Sequence, residues 1–199
     1  MEARHLSPEA YLAFDAASPQ KHEYWHGRVI AMAGAEPDHN DISSNLMIRI
    51  GSQLNDGCRI VSSDQRVQLD SSYVYPDLVI TCGPRRYDDS RPRTLLNPTA
   101  VIEIISPSTS DRDRRDKMTS YLRLASLREY WIVETAFAQV TQYAKHKEAW
   151  IAKPLTGRAA QIESPHFGVT LTLAEIYRGL DEIPDETDWK GDGPLEDNA

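Results

Sequence analysis

The order of apolar segments along this chain predicts a mixed α/β domain with a central sheet flanked by helices. Two long segments place their apolar residues at helical spacing, and short runs of β-branched and aromatic residues lie between and after them. Several strands precede the second of these helices, which argues against a regular doubly wound fold. The sequence contains neither Gly-x-Gly-x-x-Gly nor Gly-x4-Gly-Lys-Ser/Thr, so the usual nucleotide-binding loops are excluded.

The N-terminal half is predicted to contain two helices and several strands. Ser7 is a helix N-cap signal for a short helix that runs to about residue 16. The His-Gly pair at 26–27 predicts the turn of an N-terminal hairpin over 21–32. Residues 38–54 have helical apolar spacing and are followed by a glycine stop signal, so they predict the first long helix. Polar turns then separate three predicted strands, over 58–62, 65–69 and 73–81.

The C-terminal half begins with a long loop over 82–99 that is rich in Pro, Arg and Asp. A loop of this length in a compact domain is typical of a functional or mobile segment. The apolar run 100–106 predicts a strand, and the Ser/Thr-rich break after it supplies caps for a second long helix over 111–126. A C-terminal meander follows. Its predicted strands cover 129–134, 139–145, 149–153 and 166–171, and a short helix covers 173–179.

Length and charge distribution predict one domain over 1–180 and an acidic, mobile tail over 181–199. The tail has eight acidic residues and one lysine, so most of the net charge of −8 belongs to it. No apolar run has the length of a membrane helix, and the N-terminus lacks the pattern of a signal peptide. We therefore expect a cytoplasmic protein without a membrane partner.

Cys58 and Cys82 are the two cysteines of the chain. Each lies in or beside a predicted strand, and two cysteines do not suffice for a disulfide framework or a Cys-based zinc site. We expect both to be buried small apolar side chains.

Two carboxylates lie in apolar runs and suggest a metal site. Glu103 lies within the strand 100–106, and Asp77 lies in a similar run upstream. An ionised carboxylate in such a strand loses several kcal/mol of solvation unless a cation compensates for the loss. If the two strands are neighbours, the carboxylates can meet and hold one Mg²⁺ or Mn²⁺ ion. The alternatives are a strand-edge or turn acid for Asp77 and a buried pair with an arginine for Glu103.

Lys117 is the candidate cation for such a site. It lies one residue from Met118 and four before Tyr121, at the border of the buried face of the predicted helix. Its stem can pack there while its ammonium group reaches the sheet. The alternative is an i,i+4 pair with Asp113.

The motifs resemble two known groups of nucleases. Pro76-Asp77 followed by Glu103 in a hydrophobic strand resembles the PD-(D/E)xK superfamily, and the wider pattern over roughly 7–175 resembles the Uma-two family of putative bacterial restriction endonucleases. The motifs are Glu23-Tyr-Trp-His-Gly-Arg, Ala33-Gly-Ala with His39-Asn40, Ser62-Ser-Asp-Gln-Arg-Val, Tyr75-Pro-Asp-Leu-Val, Val101-Ile-Glu-Ile-Ile-Ser-Pro-Ser-Thr, Asp113-x3-Lys117 and Glu129-Tyr-Trp-Ile-Val.

This resemblance implies a restriction-endonuclease-like core in which Asp77 and Glu103 are the metal ligands. The superfamily lysine is absent two residues after Glu103, where Ile105 stands. In the resembling family that lysine lies on the next helix, which implies Lys117 as the catalytic cation. Glu23 and His39 are implied as residues that line the site. Their alternatives are a surface hairpin acid for Glu23 and helix-end capping for His39.

The function implied is metal-dependent endonuclease activity that hydrolyses phosphodiester bonds of DNA through a Mg²⁺-activated water. Arg85 and Arg86 follow the first acidic strand, and Arg112 and Arg114 follow the second, where they could hold phosphates or be solvated loop charges. Two cuts on a duplex need two active sites, so we expect a homodimer. The alternatives are a catalytically silent module that binds nucleic acid or protein and a metal-stabilised structural subunit.

Overall fold

The computed structural model describes residues 5–32, 34–106 and 111–185, with the backbone alone described at 111–114. The helices are α1 Pro8–Ala17, α2 Pro37–Gly51, α3 Asp111–Arg123 and α4 Leu173–Ile176. The strands are β1 His22–Trp25, β2 Arg28–Ala31, β3 Cys58–Ser62, β4 Val67–Leu69, β5 Ser72–Val74, β6 Leu78–Cys82, β7 Ala100–Ile105, β8 Glu129–Glu134, β9 Gln139–His146, β10 Ala149–Thr156, β11 Gln161–Ser164 and β12 Val169–Thr172.

The central sheet has six strands in the order β10-β9-β8-β7-β6-β3. Strands β7 and β8 are parallel because α3 lies between them in the chain, and the other neighbours in this sheet are antiparallel. The predicted mixed α/β class, the central mixed sheet and the meander β8-β9-β10 are confirmed.

The N-terminal hairpin β1-β2 does not join the central sheet. Its strand β1 pairs with β5, which in turn pairs with β4, in a second sheet of order β2-β1-β5-β4, and β11-β12 form a separate hairpin. In the described part of the chain, the predicted central sheet is therefore accompanied by a second, smaller sheet that the sequence does not predict. The predicted strand 73–81 divides into β5 and β6 because Pro76 has no N–H for a ladder hydrogen bond.

The C-terminal region also differs from the prediction. The predicted strand 166–171 is the second half of a hairpin whose first strand, β11, was not predicted. The turn between them contains Gly168 at a φ of 73°. Ile183 packs in the core, Pro184 O accepts a hydrogen bond from Ala138 N, and Asp185 forms an ion pair with Arg158. The domain therefore extends beyond residue 180 to at least 185; the rest of the predicted tail, 186–199, lies outside the described residues.

The two faces of β7 contact different parts of the core, as strand alternation requires. Ile102 and Ile104 pack with α2, whose side chains Ile42, Leu46 and Ile50 are fully buried. Val101 and Ile105 face the opposite way and pack near Tyr121 of α3. Because Glu103 shares the second face, its carboxylate lies on the side of the sheet that α3 covers.

Cys58 and Cys82 form a disulfide, so the expectation of two free buried thiols is wrong. The antiparallel register of β3 and β6 places these residues directly opposite each other. A sequence without the strand pairing cannot reveal this juxtaposition. No helix in the described ranges has the length and apolar composition needed to cross a bilayer.

Candidate active site

Asp77 and Glu103 come together because β6 and β7 are antiparallel neighbours. Leu78 pairs with Ile102, so Asp77, one residue before β6, lies beside the strand position of Glu103. The break at Pro76 lets the side chain of Asp77 turn toward β7, where its Oδ2 accepts a hydrogen bond from the backbone N of Ile104 at 2.7 Å. The predicted neighbourhood of the two acids is therefore present.

The surroundings of the Glu103 carboxyl disfavour its ionised form. Burial raises the pKa of its carboxyl to about 8, with further upward contributions from the charges of Asp77 and Glu23 and an opposing one from Lys117. Tyr121 donates a hydrogen bond to Oε1 at 2.8 Å, and this bond also favours the ionised form. No described arginine contacts Glu103 in an ion pair, so the alternative of a buried arginine partner does not describe this residue.

Lys117 reaches the sheet from α3 and binds Glu23 of β1. Its Nζ lies 2.7 Å from Oε2 and 2.8 Å from Oε1 of Glu23. Burial alone would lower the pKa of this ammonium, but the carboxylates of Glu103 and Glu23 raise it above its ordinary value. Glu23 is buried and also accepts a hydrogen bond from Tyr75 N at 3.3 Å, so it is not a surface hairpin acid. The side chain of Asp113, the alternative partner of Lys117, lies outside the described residues.

His39 lies in the first turn of α2 and contacts Asp77 instead of capping the helix. Its Nε2 is 3.1 Å from Asp77 Oδ1. The hydrogen bond to Asp77 raises the pKa of His39, burial lowers it, and the charges of Asp77 and Glu103 raise it, with a net shift upward. His39 Nδ1 is buried without a described hydrogen-bond partner. The sequence implied a site-lining position for His39, and the structure places it there.

Two adjoining cavities open at this group of side chains. The smaller has a volume of about 340 Å³ and is lined by Glu23, Trp25, Ile30, Ala31, Met32, His39, Tyr75, Asp77, Glu103, Ile104, Ile105, Lys117 and Tyr130. The larger has a volume of about 1060 Å³ and shares Met32, His39, Asp77 and Ile104 with the first. The predicted residues Asp77, Glu103, Lys117, Glu23 and His39 thus all border one cavity.

The residues present suit a cation of the Mg²⁺ class better than a cation that needs a full protein cage. Among the residues described, no group of three or more His, Cys, Asp or Glu side chains is arranged to hold a metal ion. Mg²⁺ commonly takes one or two carboxylates and keeps several waters, so the pair Asp77 and Glu103 fits its donor requirement. The upward pKa shift of Glu103 means that a cation would relieve an existing electrostatic cost.

The predicted arginines are not part of this cavity. Arg85 and Arg86 are exposed and follow the far end of β6, away from Asp77, and neither lines the two cavities. The Arg86 backbone N is held by Asn97 Oδ1 at 2.7 Å, in the long loop. Arg112 and Arg114 belong to α3, but their side chains lie outside the described residues.

The sequence interpretation missed the role of Tyr121 as a hydrogen-bond donor to Glu103. Tyr121 was assigned only to the apolar face of α3, yet burial and the charge of Glu103 raise its pKa, so its hydroxyl stays protonated. Its position four residues after Lys117 puts both side chains on one helical face, and this spacing was the available signal.

Glu129 of β8 is a second acid in an apolar strand, and its carboxylate differs from that of Glu103 because protein groups bind both of its oxygens. Its side chain is 0% exposed and accepts hydrogen bonds from Trp131 Nε1 at 2.8 Å and Gln142 Nε2 at 2.9 Å. Ser164 and His166 also contact its Oε1. Protein donors therefore compensate Glu129, whereas the carboxyl of Glu103 faces a cavity with two other acids.

Comparisons with known proteins bear on the family and the fold of this chain. A family model described as "putative restriction endonuclease" matches residues 8–174. Two uncharacterized proteins of Synechocystis are 33% identical over 180 residues and 28% identical over 162 residues. The first match covers 88% of this chain and 93% of the relative, and the second covers 79% and 92%. A crystal structure described as a putative nuclease from Anabaena variabilis superposes with a TM-score of 0.70 at 17% identity, over 86% of this chain and 97% of the other, and shares its fold.

Proposed function

Since the chain belongs to the Uma-two family, described as putative restriction endonucleases, we propose that it hydrolyses phosphodiester bonds of DNA with Mg²⁺ or Mn²⁺ as its cofactor. The observation that carries this proposal is the convergence of Asp77, Glu103 and Lys117 on one cavity from three different elements. The lysine comes from α3, the place implied by the family resemblance, instead of the strand position occupied by Ile105.

Asp77 and Glu103 would hold the divalent cation. When bound, the cation would lower the pKa of a water and stabilise the negative charge that develops on the phosphoryl oxygens. Binding requires Glu103 to lose its proton, and the Tyr121 hydroxyl and the Lys117 charge both favour that ionised form. The bonds from His39 and from the Ile104 N fix the orientation of the Asp77 carboxylate.

Lys117 would act on the reacting phosphate. Its ammonium remains charged because its pKa is raised, and with 27% of its side chain exposed it can approach a ligand in the cavity. An ammonium at this position donates hydrogen bonds to a nonbridging oxygen or orients the attacking water. Glu23 accepts a hydrogen bond from Lys117 and so positions the ammonium group. A phosphate oxygen would compete with the Glu23 carboxylate for the hydrogen bonds that this ammonium donates.

The second candidate is a nuclease-like module that binds nucleic acid or protein without cutting it. One observation favours it: the ammonium of Lys117 contacts both carboxylate oxygens of Glu23. If that pair does not open when substrate binds, Lys117 cannot reach a phosphate. Cation binding together with an absence of cleavage would identify this alternative.

The experiment combines calorimetric titration with Mn²⁺ and cleavage of plasmid and oligonucleotide DNA in Mg²⁺, Mn²⁺ or EDTA. Asp77→Asn and Glu103→Gln are expected to abolish Mn²⁺ binding and to lower cleavage at least about a hundredfold. Glu148→Gln is the matched control, because Glu148 is an exposed acid in the turn between β9 and β10. Cleavage that depends on metal but survives both site substitutions would refute the proposed site.

The predicted homodimer and cytoplasmic location accompany this function and stay predictions. Sedimentation of the purified full chain with and without a DNA duplex measures the first, and fractionation of the source cells measures the second. A two-fold dimer would place one active site on each strand of a duplex.

A further inference from the structure

We propose that the hairpin β1-β2 holds an unpaired nucleobase beside the bond to be cut, so that the preferred substrate is single-stranded or locally unpaired DNA. This inference rests on the proposed function and adds the structural state of the substrate. It concerns the wall of the smaller cavity opposite Asp77 and Glu103.

The face of the hairpin that carries Glu23 continues the site with an aromatic and apolar surface. Glu23 and Trp25 are two residues apart in β1, so both side chains lie on the same face. The cross-strand partners on that face are Ile30, opposite Glu23, and Arg28, opposite Trp25. Glu23, Trp25 and Ile30 all line the smaller cavity. On this face of the hairpin, Glu23 of the proposed catalytic site is therefore next to Trp25, and Trp25 lies opposite Arg28 of β2.

The apolar part of this face is open to a ligand. Ile30 is 45% exposed, and it is one of three large hydrophobic residues of the described chain with high exposure, beside Ile48 and Ile151. Of these three, Ile30 alone lines either cavity among the described residues. Trp25 is half-buried, because it packs against the core under α3, and its ring lies 4.7 Å from that of His26 in an edge arrangement. An exposed apolar surface that borders a polar site is typical of a ligand-binding wall.

The size of the cavity favours an unpaired nucleotide. Its volume of about 340 Å³ is at the lower end of small-ligand pockets, which span about 300–1000 Å³. The bases of a duplex remain stacked inside the helix, so a duplex would bring only its backbone to this cavity. An unpaired nucleotide can place its base on the indole while its phosphate lies at the acids and the lysine.

The charged side chains described at the two cavities leave a role for base stacking in substrate binding. Duplex affinity depends mainly on lysine and arginine side chains that neutralise phosphates. No arginine is found among the described residues that line the two cavities, and their two lysines are already paired, Lys117 with Glu23 and Lys21 with Asp64. Glu36 and Asp38 add acidic groups to the larger cavity. Base stacking, which does not depend on phosphate neutralisation, adds affinity for a single strand that a duplex with stacked bases cannot gain.

The test measures binding by fluorescence anisotropy in EDTA, with a labelled single-stranded DNA dodecamer, the same strand as a duplex, and the strand with one abasic position. The variants are Trp25→Ala, Trp25→Phe and Ile30→Ala, and Ile151→Ala is the matched control because Ile151 is also an exposed isoleucine on an edge strand but does not line the two cavities. Trp25→Phe keeps an aromatic ring and guards against a loss caused by misfolding.

We expect the single strand to bind more tightly than the duplex. Trp25→Ala should weaken strand binding about 5- to 150-fold, the range for one stacked base, with little effect on the duplex. Ile30→Ala should weaken it less, Trp25→Phe should retain most of the affinity, and Ile151→Ala should leave it unchanged. An abasic position at the stacking site should remove the difference between wild type and Trp25→Ala.

The result that overturns the inference is equal binding of strand and duplex with no effect of Trp25→Ala. If metal-dependent cleavage of duplex DNA then still requires Asp77 and Glu103, the proposed function stands without the inference. If Trp25 governs strand binding but no DNA is cut in Mg²⁺ or Mn²⁺, the hydrolytic function fails and the base-binding wall is retained. The two proposals therefore fail separately.

Discussion

Glu103 is the residue whose ionisation links the stability of the protein to binding of the proposed divalent cation. Burial and two neighbouring acids raise the pKa of its carboxyl to about 8, against 4.5 for an ordinary glutamate. At pH values between 4.5 and about 8, and without a bound cation, the Glu103 carboxyl is protonated in the folded protein and ionised in the unfolded chain. The free energy of unfolding must therefore fall as the pH rises through this window.

The pH dependence gives a prediction for Glu103→Gln. Without divalent cation, one proton of difference corresponds to a loss of up to about 1.4 kcal/mol per pH unit between about pH 5 and 8. Glutamine has no proton to lose, so Glu103→Gln should have a flatter profile than the wild type. Urea unfolding at several pH values in EDTA measures this, with Glu148→Gln as the control. Parallel profiles of wild type and Glu103→Gln would contradict the assigned pKa.

The positive charge of Lys117 can be removed with little change in side-chain volume. Lys117→Met keeps much of the packing volume but removes the charge that favours ionised Glu103, and it leaves Glu23 without its partner. We expect cleavage to fall about 10²- to 10³-fold, the usual cost of removing one stabilising donor. The assay is single-turnover cleavage at saturating Mg²⁺, with the exposed Lys153→Met as the control. A rate within about threefold of the wild type would remove Lys117 from the mechanism.

Several site residues could be predicted from the sequence because the solvation free energy that their carboxylates lose in an apolar segment is evident from the neighbouring residues. An acid inside an apolar run, as at Glu103, and an acid after Pro76 identify themselves without a structure. The apolar-run argument alone would also have selected Glu129, whose compensation comes from residues 131, 142, 164 and 166. Distinguishing the two acids requires the positions of distant donors, which a single sequence does not contain.

At the scale of elements, the long loop between β6 and β7 is held by the buried side chain of Arg66. Its guanidinium group bonds Asp15 of α1 at 3.0 Å, Thr94 Oγ1 at 2.9 Å and Pro92 O at 2.6 Å. Asp15 also accepts a bond from the Tyr75 hydroxyl at 2.7 Å, two residues before Asp77. The loop, α1 and the approach to Asp77 thus share one buried polar network.

Arg66→Met should unfold the protein more easily, because Asp15 would remain buried without its cation. Breaking a buried ion pair by removal of one partner costs about 3–5 kcal/mol. The double variant Asp15→Asn with Arg66→Met should recover part of this loss. Chemical denaturation measures both, and Arg85→Met, an exposed arginine of the same loop, should lie within about 0.5 kcal/mol of the wild type. A small effect of Arg66→Met would mean that the loop is held by other contacts.

Helices and strands were predicted best where one period dominates, as in α2 and β7. The errors occurred where tertiary pairing decides the structure. Pro76 separates β5 from β6 and so sends the two halves of one apolar run to different sheets. Strand β11 contains polar residues at alternate positions and becomes recognisable only through its partner β12.

At the scale of the whole molecule, the disulfide joins the edge strand β3 to β6. It closes a chain segment with a sequence separation of 24 residues. Loop-closure entropy predicts a stabilisation of about 3 kcal/mol for a segment of this length. The free energy of unfolding should therefore fall by about that amount in a strong reductant, while Cys58→Ala with Cys82→Ala should be insensitive to the reductant. Equal stability of the wild type with and without reductant would contradict a bond that contributes to folding.

The family and the mixed α/β fold were both predictable from the combined motifs, and both are confirmed. Residue patterns alone do not predict how the small sheet docks beside the central one, because the contact between Glu23 of β1 and Lys117 of α3 joins residues 94 positions apart; only the family resemblance implied a place for Glu23 at the site. Single-residue patterns are local, whereas this contact depends on the complete chain path.

Because of the contact between Lys117 and Glu23, the candidate site forms only when distant parts of the chain are folded together. Glu23 belongs to β1 of the small sheet, Glu103 to β7 of the central sheet and Lys117 to α3, which follows both of these strands in the chain. A nascent chain or proteolytic fragment that lacks any one of these elements has no assembled charge triad. The proposed catalytic centre therefore exists only in a chain in which segments from these three regions have folded together.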